Sequence, residues 1–164
     1  MNIRNIINSF LDKKRKKTFL NKFEKYSEYI KNNEENFSSE LYEIISSSWY
    51  YDPRSHKCPH DGSIDKIFIQ DDSFEGNQTI NIRIELFSAY GDYKLIYEYV
   101  KVKNYILNYN KSIHLGSHGD WLIDIFILKE KGCIEHSIVF SEKAEIIICC
   151  EEIKIVFEKI TSTN

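Results

Sequence analysis

A strict alternation of apolar and polar side chains near the middle of the chain limits how this sequence can fold. Every second residue from Ile80 to Leu86 is Ile or Leu, and the residues between them are Asn81, Arg83 and Glu85. A period of two belongs to a β-strand, whose successive side chains point to opposite faces, and not to an α-helix. The run therefore predicts a strand with one buried face and one solvated face.

Similar apolar runs recur along the rest of the chain. The strand candidates are residues 64–70, 80–86, 94–100, 104–109, 121–129, 133–140, 144–150 and 152–158. Several connections are short turns, such as Ala89–Asp92 and Glu130–Gly132. Short connections favour antiparallel pairing of consecutive strands, so we expect a meander.

The N-terminal part has a different periodicity. Apolar residues recur there at spacings of three and four, which is typical of amphipathic helices: Ile3, Ile6, Ile7, Phe10, Phe19, Leu20, Phe23, Tyr26 and Ile30. Residues 32–36 then resemble a loop, and Ser38 begins a short helix that ends at Ser46–Ser48.

The predicted fold class is α+β, with N-terminal helices followed by a largely antiparallel sheet of seven to eight strands. We expect a single domain over residues 1–164, with a helical part at 1–48 and a β body at 49–160. A chain of 164 residues buries enough surface to fold without disulfides or a structural metal.

The sequence favours the cytoplasm. Asn2, Arg4, Asn5 and Asn8 interrupt the apolar N-terminal stretch, so it does not form a secretion signal, and no stretch approaches the ~18 apolar residues of a membrane span. In that compartment Cys58, Cys133, Cys149 and Cys150 are expected to be thiols. Cys149 and Cys150 follow three isoleucines and are expected to act as small apolar residues of a buried strand.

The net charge of −3 conceals an uneven distribution. Residues 1–35 hold nine Lys or Arg and five Asp or Glu, a net charge of +4, whereas residues 36–164 hold thirteen and twenty, a net charge of −7. The basic run Lys13–Lys17 could neutralise phosphates or sit on a membrane surface, but the acidic body would repel nucleic acid. We therefore interpret this run as a solvated helix face, and expect neither a nucleic-acid nor a membrane partner.

Two polar clusters could carry chemistry. His56, Cys58, His60 and Asp61 are possible zinc ligands, but their spacing matches no standard zinc motif. The alternative is a rigid loop, because Pro53 and Pro59 restrict the backbone.

The second cluster contains His118 and Asp120, with His136 across an expected hairpin. These residues could form a charge relay or bind a metal, although no nucleophile motif accompanies them. The simpler interpretation has Asp120 capping its own turn and His136 exposed on a strand. Together with His60 and Asp61, the cluster supports an alternative hypothesis, a metal-dependent hydrolase.

Tyrosines are concentrated in the middle strands, at positions 90, 93, 97, 99, 105 and 109. Tyrosine is common both in protein interfaces and in half-buried strands. On an acidic body, exposed tyrosines fit a surface that recognises a basic protein.

Six short motifs follow one another in a distinctive order: Trp49–Pro53, Cys58–Asp61, Ala89–Asp92, Tyr97–Val100, His118–Leu122 and Glu135–Ile138. In this series the chain resembles, over residues 41–158, the immunity proteins of bacterial polymorphic or contact-dependent toxin systems. It departs from the pattern at Ile125, where an acidic residue would be expected after Asp124.

The resemblance implies a non-enzymatic cytoplasmic inhibitor that needs no cofactor and blocks the active site of one cognate toxin. A nuclease with a basic cleft would suit the acidic body. The residues expected to contact such a partner are Asp71, Asp72, Glu75, Tyr90, Tyr93, Asp120, Glu151 and Glu152.

Overall fold

The computed structural model describes residues 16–74, 77–109, 118–141 and 144–161. It divides into two compact units, Met1–Ser46 and Ser47–Asn164. The predicted helix at residues 3–10, most of the basic run Lys13–Lys17, and Glu75 lie outside the described residues.

The first unit contains two helices, α1 (Lys16–Asn32) and α2 (Ser39–Ile45), with a 3-10 turn at Glu34–Asn36 between them. Helix α2 confirms the short helix predicted from the serine and the apolar spacing, because the Ser38 side chain accepts a hydrogen bond from the Leu41 N–H at 3.3 Å. Neither helix has the length and apolar composition that a membrane crossing requires.

The second unit is built on one antiparallel sheet. Its strands are β1 (Ser63–Phe74), β2 (Asn77–Phe87), β3 (Tyr93–Asn108), β4 (Trp121–Lys129), β5 (Cys133–Phe140) and β6 (Glu145–Lys159). Their order across the sheet is β1-β2-β3-β6-β5-β4. The α+β class is thus confirmed, but the meander is interrupted because β3 pairs with β6 and not with β4.

The prediction of seven to eight strands was wrong, because two pairs of candidates are continuous strands. Residues 94–100 and 104–108 belong to β3, and residues 145–150 and 152–158 belong to β6, so of the predicted strand residues only Tyr109 and Ala144 lie just outside. The apolar pattern is interrupted at Glu151 and Glu152, which are both exposed. The buried positions of β6 shift by one residue there, so a break in alternation marks a change in the buried face and not the end of a strand.

Strand β3 is also irregular where it lies beside Glu151 and Glu152 of β6. Lys101 has a φ of 53°, and the pairing register shifts on both sides of it, towards β2 and towards β6. Both features are typical of a β-bulge, which bends a strand locally.

The alternating run of β2 folds largely as predicted. Ile82, Ile84 and Leu86 are buried, as one face of a strand requires. Glu85, expected on the solvated face, is buried as well. Its carboxylate lies 3.0 Å from Lys94 Nζ and 2.9 Å from an Arg83 nitrogen, and these cations lower its pKa.

The cysteines depart from the expectation of four thiols. Cys133 and Cys149 form a disulfide between β5 and β6, with their Cα atoms 6.1 Å apart. Cys149 lies opposite Glu135, two residues from Cys133, and this proximity depends on strand register. Cys58 and Cys150 are free and buried.

Candidate binding surface at the β2–β3 turn

The loop formed by residues 47–62 leads into β1, and backbone hydrogen bonds join it to the first residue of β4. The Asp61 N–H donates to Trp121 O at 2.8 Å, and the Trp121 N–H donates to Gly62 O at 2.9 Å. The backbones are so close that a Cβ on Gly62 would lie 2.6 Å from Phe87 O. Only glycine fits this position without displacing the main chain.

A buried chain of polar side chains fastens the same loop from inside. The Tyr50 hydroxyl donates to Asp124 Oδ2 at 2.5 Å and lies 3.0 Å from the Tyr97 hydroxyl. His136 Nε2 lies 2.8 Å from the same Asp124 oxygen, and His136 Nδ1 lies 2.7 Å from the Tyr99 hydroxyl. All five side chains are almost completely buried, and we call them the Asp124 network.

One arrangement of protons satisfies these contacts. If His136 carries its proton on Nε2, it donates to Asp124, and its Nδ1 accepts from the Tyr99 hydroxyl. The single hydroxyl proton of Tyr50 goes to Asp124, so Tyr97 donates to the Tyr50 oxygen. Buried polar groups are tolerated when they are paired in this way.

Burial is the main reason why the tyrosines remain protonated donors. It raises the pKa of Tyr50 well above the ordinary value, and the nearby Asp124 carboxylate raises it further. Burial likewise raises the pKa values of Tyr97 and Tyr99. Aromatic contacts complete the packing, since the Phe126 ring stacks on His136 with the ring centroids 4.0 Å apart.

This arrangement corrects the expected roles of two residues. His136 is completely buried, so the interpretation of an exposed strand histidine was wrong. Its carboxylate partner is Asp124, whereas the sequence suggested Asp120, which is exposed. The pairing joins β4 to β5 near the point where Phe126 faces His136, and only strand register reveals it.

On the outside of the same loop, an exposed aromatic ring is held in place. The Tyr90 ring stacks on His56 with centroids 4.1 Å apart and an interplanar angle of 7°. The Tyr90 hydroxyl donates to Pro53 O at 3.3 Å. His56 Nδ1 lies 2.6 Å from Asp92 Oδ2, and this contact lowers the pKa of Asp92.

Tyr93 lies three residues further along, at the start of β3. It is half-buried, and Lys57 Nζ lies 5.5 Å from its ring centroid, which suits a cation–π contact. We use the name turn surface for His56, Tyr90, Asp92 and Tyr93, together with the Pro53 carbonyl.

The other residues expected to contact a partner lie elsewhere on the sheet unit. Asp71 and Asp72 are in β1 towards the β1–β2 hairpin, at the opposite end of that strand pair from the β2–β3 turn. Glu151 pairs with Lys101 and Lys103, and Glu152 with Lys154. Asp120 precedes β4, where its N–H donates to Ser141 Oγ.

The possible metal ligands are dispersed. His60 Nδ1 lies 3.1 Å from Asp61, Cys58 is buried, and His118 packs between Tyr109 and Phe140. Partial burial lowers the pKa of His118. Among the residues that the structure describes, no three His, Cys, Asp or Glu side chains are grouped so that they could hold a metal ion.

We expect Tyr50→Phe to lower the free energy of unfolding by about 1–3 kcal/mol, because the substitution leaves the buried Asp124 carboxylate without one of its donors. The matched control is Tyr93→Phe, because Tyr93 is half-buried and outside the network, and it should change stability by less than about 0.5 kcal/mol. Urea unfolding followed by tryptophan fluorescence measures both changes. Equal stability of the two variants would contradict the role assigned to the network.

Comparisons of this chain with protein-family models, curated proteins and solved structures found no match. What the protein does is therefore inferred from the chemistry of its own surface. The turn surface presents an exposed aromatic ring in a fixed position, with Asp92 beside it.

Proposed function

We propose that this chain is a non-enzymatic binding protein that neutralises a cognate bacterial toxin by covering its active site. The observation that supports this most strongly is the Tyr90 ring, which is 52% exposed although it is stacked on His56 and hydrogen-bonded to Pro53 O. An exposed tyrosine held in this way loses little conformational freedom on binding. It has the character of an interface anchor.

Charge suggests the kind of partner. The chain from residue 36 onward carries a net charge of −7, and Asp52, Asp61 and Asp92 lie in or beside the loop and turn that present Tyr90. Arg54 pairs with Asp52, and His56 contacts Asp92, so these two carboxylates already have partners within the chain. The charge offered to a partner is therefore that of residues 36–164 as a whole. A basic protein surface, such as the active-site cleft of a nuclease, would complement this charge and be attracted to it over a distance.

The buried polar side chains do not favour a catalytic site in the interior of the protein. Asp124 and His136 could in principle exchange protons, but both are inaccessible and hydrogen-bonded within the Asp124 network. The hydrolase hypothesis needs His60, Asp61, His118, Asp120 and His136 to act together, and His136 has Asp124 as its partner instead. We therefore propose recognition at the turn surface and assign no reaction.

Co-expression with the product of the open reading frame immediately upstream tests the proposal. That product should be toxic alone, harmless together with this chain, and recovered with it as a stoichiometric complex. A product that is harmless alone and forms no complex would contradict the proposal.

Within such a complex, Tyr90→Ala should weaken binding at least about tenfold, since a buried tyrosine anchor contributes more than about 1–2 kcal/mol. Phe68→Ala is the matched control, because Phe68 is an aromatic residue of similar exposure, 48%, in β1. Calorimetric titration measures both affinities. Equal losses in the two variants would show that the turn surface is not the anchor.

We place the protein in the cytoplasm, and the cysteines test that location. Burial raises the pKa of Cys58 to about 11 and that of Cys150 to about 12, so both thiols stay protonated and unreactive in the native protein at pH 8. Cys133 and Cys149 are close enough to form a disulfide, a bond typical of oxidising compartments. Their oxidation state inside the cell therefore reports the compartment.

Cells quenched in acid should yield four alkylated cysteines per denatured chain if the protein is cytoplasmic, because the reducing environment keeps Cys133 and Cys149 as thiols. Mass spectrometry counts the labels. Protein purified in air provides the control, and should give two labels after denaturation and four after reduction. Two labels in quenched cells would contradict the cytoplasmic location.

A further inference from the structure

Among the residues that the structure describes, strand β3 is paired on one side only over its last residues. Its pairing with β2 ends at Ile80 opposite Val102, whereas its pairing with β6 continues to Asn108 opposite Glu145. No described residue pairs with the other side of β3 beyond Val102. Backbone N–H and C=O groups on an open edge can accept a further strand.

The side chains of this segment do not protect the edge. The large apolar residues at the end of the strand and just beyond it are 37–47% exposed: Tyr105, Ile106, Leu107 and Tyr109, which follows the last residue of β3. Charged residues normally discourage edge pairing, but residues 104–108 carry no charge. The nearest cation, Lys103, is paired with Glu151, whose carboxylate also contacts Lys101. An apolar edge of this kind is a site for strand addition.

The sequence of the edge is close to a palindrome. Ile106 is the centre, Tyr105 and Leu107 flank it, and Asn104 and Asn108 follow on either side. Such symmetry matters because a two-fold axis perpendicular to a sheet joins two identical antiparallel strands with one residue opposite its own copy. The order of residues in this segment suits that arrangement.

We propose that a second copy of this chain adds to the edge, with Ile106 of one chain opposite Ile106 of the other. This register places Asn104 opposite Asn108 and Tyr105 opposite Leu107 on the two faces, so amides meet amides and apolar side chains meet apolar ones. The two sheets become one continuous sheet across the two-fold axis.

This dimer is weak. A strand pair of about six residues buries far less than the roughly 800 Å² per partner of a standard interface, so we expect a Kd of about 10–100 µM. The inference concerns the isolated protein and does not depend on a toxin partner. Failure of the toxin proposal would leave it unaffected.

Sedimentation equilibrium of the full chain between about 1 and 500 µM tests the dimer, a range that brackets the expected Kd. Ile106→Lys should weaken self-association at least tenfold, because two ammonium groups would face each other across the axis. Phe68→Lys is the control at an equally exposed position in the edge strand β1. It should leave self-association unchanged, because the same register about Phe68 would set Asp65 opposite Asp71. Far-UV circular dichroism verifies that both variants are folded.

Cross-linking tests the register. Residues directly opposite in an antiparallel pair have Cα atoms about 4.5–5.5 Å apart, within reach of a disulfide. Under mild oxidation Ile106→Cys should therefore form a covalent dimer on a non-reducing gel, much faster than Phe68→Cys. If Ile106→Lys does not fold, cross-linking of Ile106→Cys tests the dimer without it.

Three results would overturn the inference: a monomer at the highest concentration, a dimer unaffected by Ile106→Lys, or equal cross-linking of the two cysteine variants. A monomer whose Ile106→Lys variant loses affinity for the toxin would assign the edge to a foreign strand instead. That outcome would also overturn the second-copy proposal.

Discussion

The Asp124 carboxylate is the buried group on which the sheet unit depends. A charge removed from water destabilises a fold unless hydrogen bonds compensate it, and here Tyr50 and His136 both bind Oδ2. His136 belongs to the neighbouring strand and Tyr50 to the loop before β1. One carboxylate thus connects two strands and a loop, and it adds to the backbone hydrogen bonds that join the loop to Trp121.

The position of the loop determines the shape of the turn surface. Tyr50 fixes the loop internally, and Gly62 allows it to pass close to the end of β2. Pro53 and His56 then hold the Tyr90 ring from the same loop. The buried hydrogen bonds of the Asp124 network thereby help to position the exposed Tyr90 ring. This links the interior of the fold to the proposed binding function.

Local patterns in the sequence were sufficient for part of this structure. The alternation that ends at Leu86 predicted β2, and the serine cap predicted α2, because both signals depend on residues close together in the chain. The number of strands was wrong because Glu151 and Glu152 interrupt the apolar pattern without interrupting β6. In the sequence alone, a change of buried face and the end of a strand produce the same break in the apolar alternation.

The candidate site could be predicted less well, since its partners are distant in sequence. The cluster around His56 was recognised, and Tyr90 was named as a contact residue, but nothing indicated that the two rings stack. Likewise, Asp124 and His136 were both noted, but their pairing depends on the β4–β5 register. The Cys133–Cys149 disulfide depends on register in the same way.

The central claim is that the buried network holds the loop that shapes the turn surface. Native-state hydrogen exchange of the wild type and Tyr50→Phe tests it most directly, through the amides of Cys58, Asp61 and Gly62, all of which are hydrogen-bonded within or from the loop. The account predicts exchange about tenfold faster or more at these amides in the variant, with the centre of β2 unchanged. Unchanged exchange in the loop, or equal acceleration throughout the sheet, would contradict it.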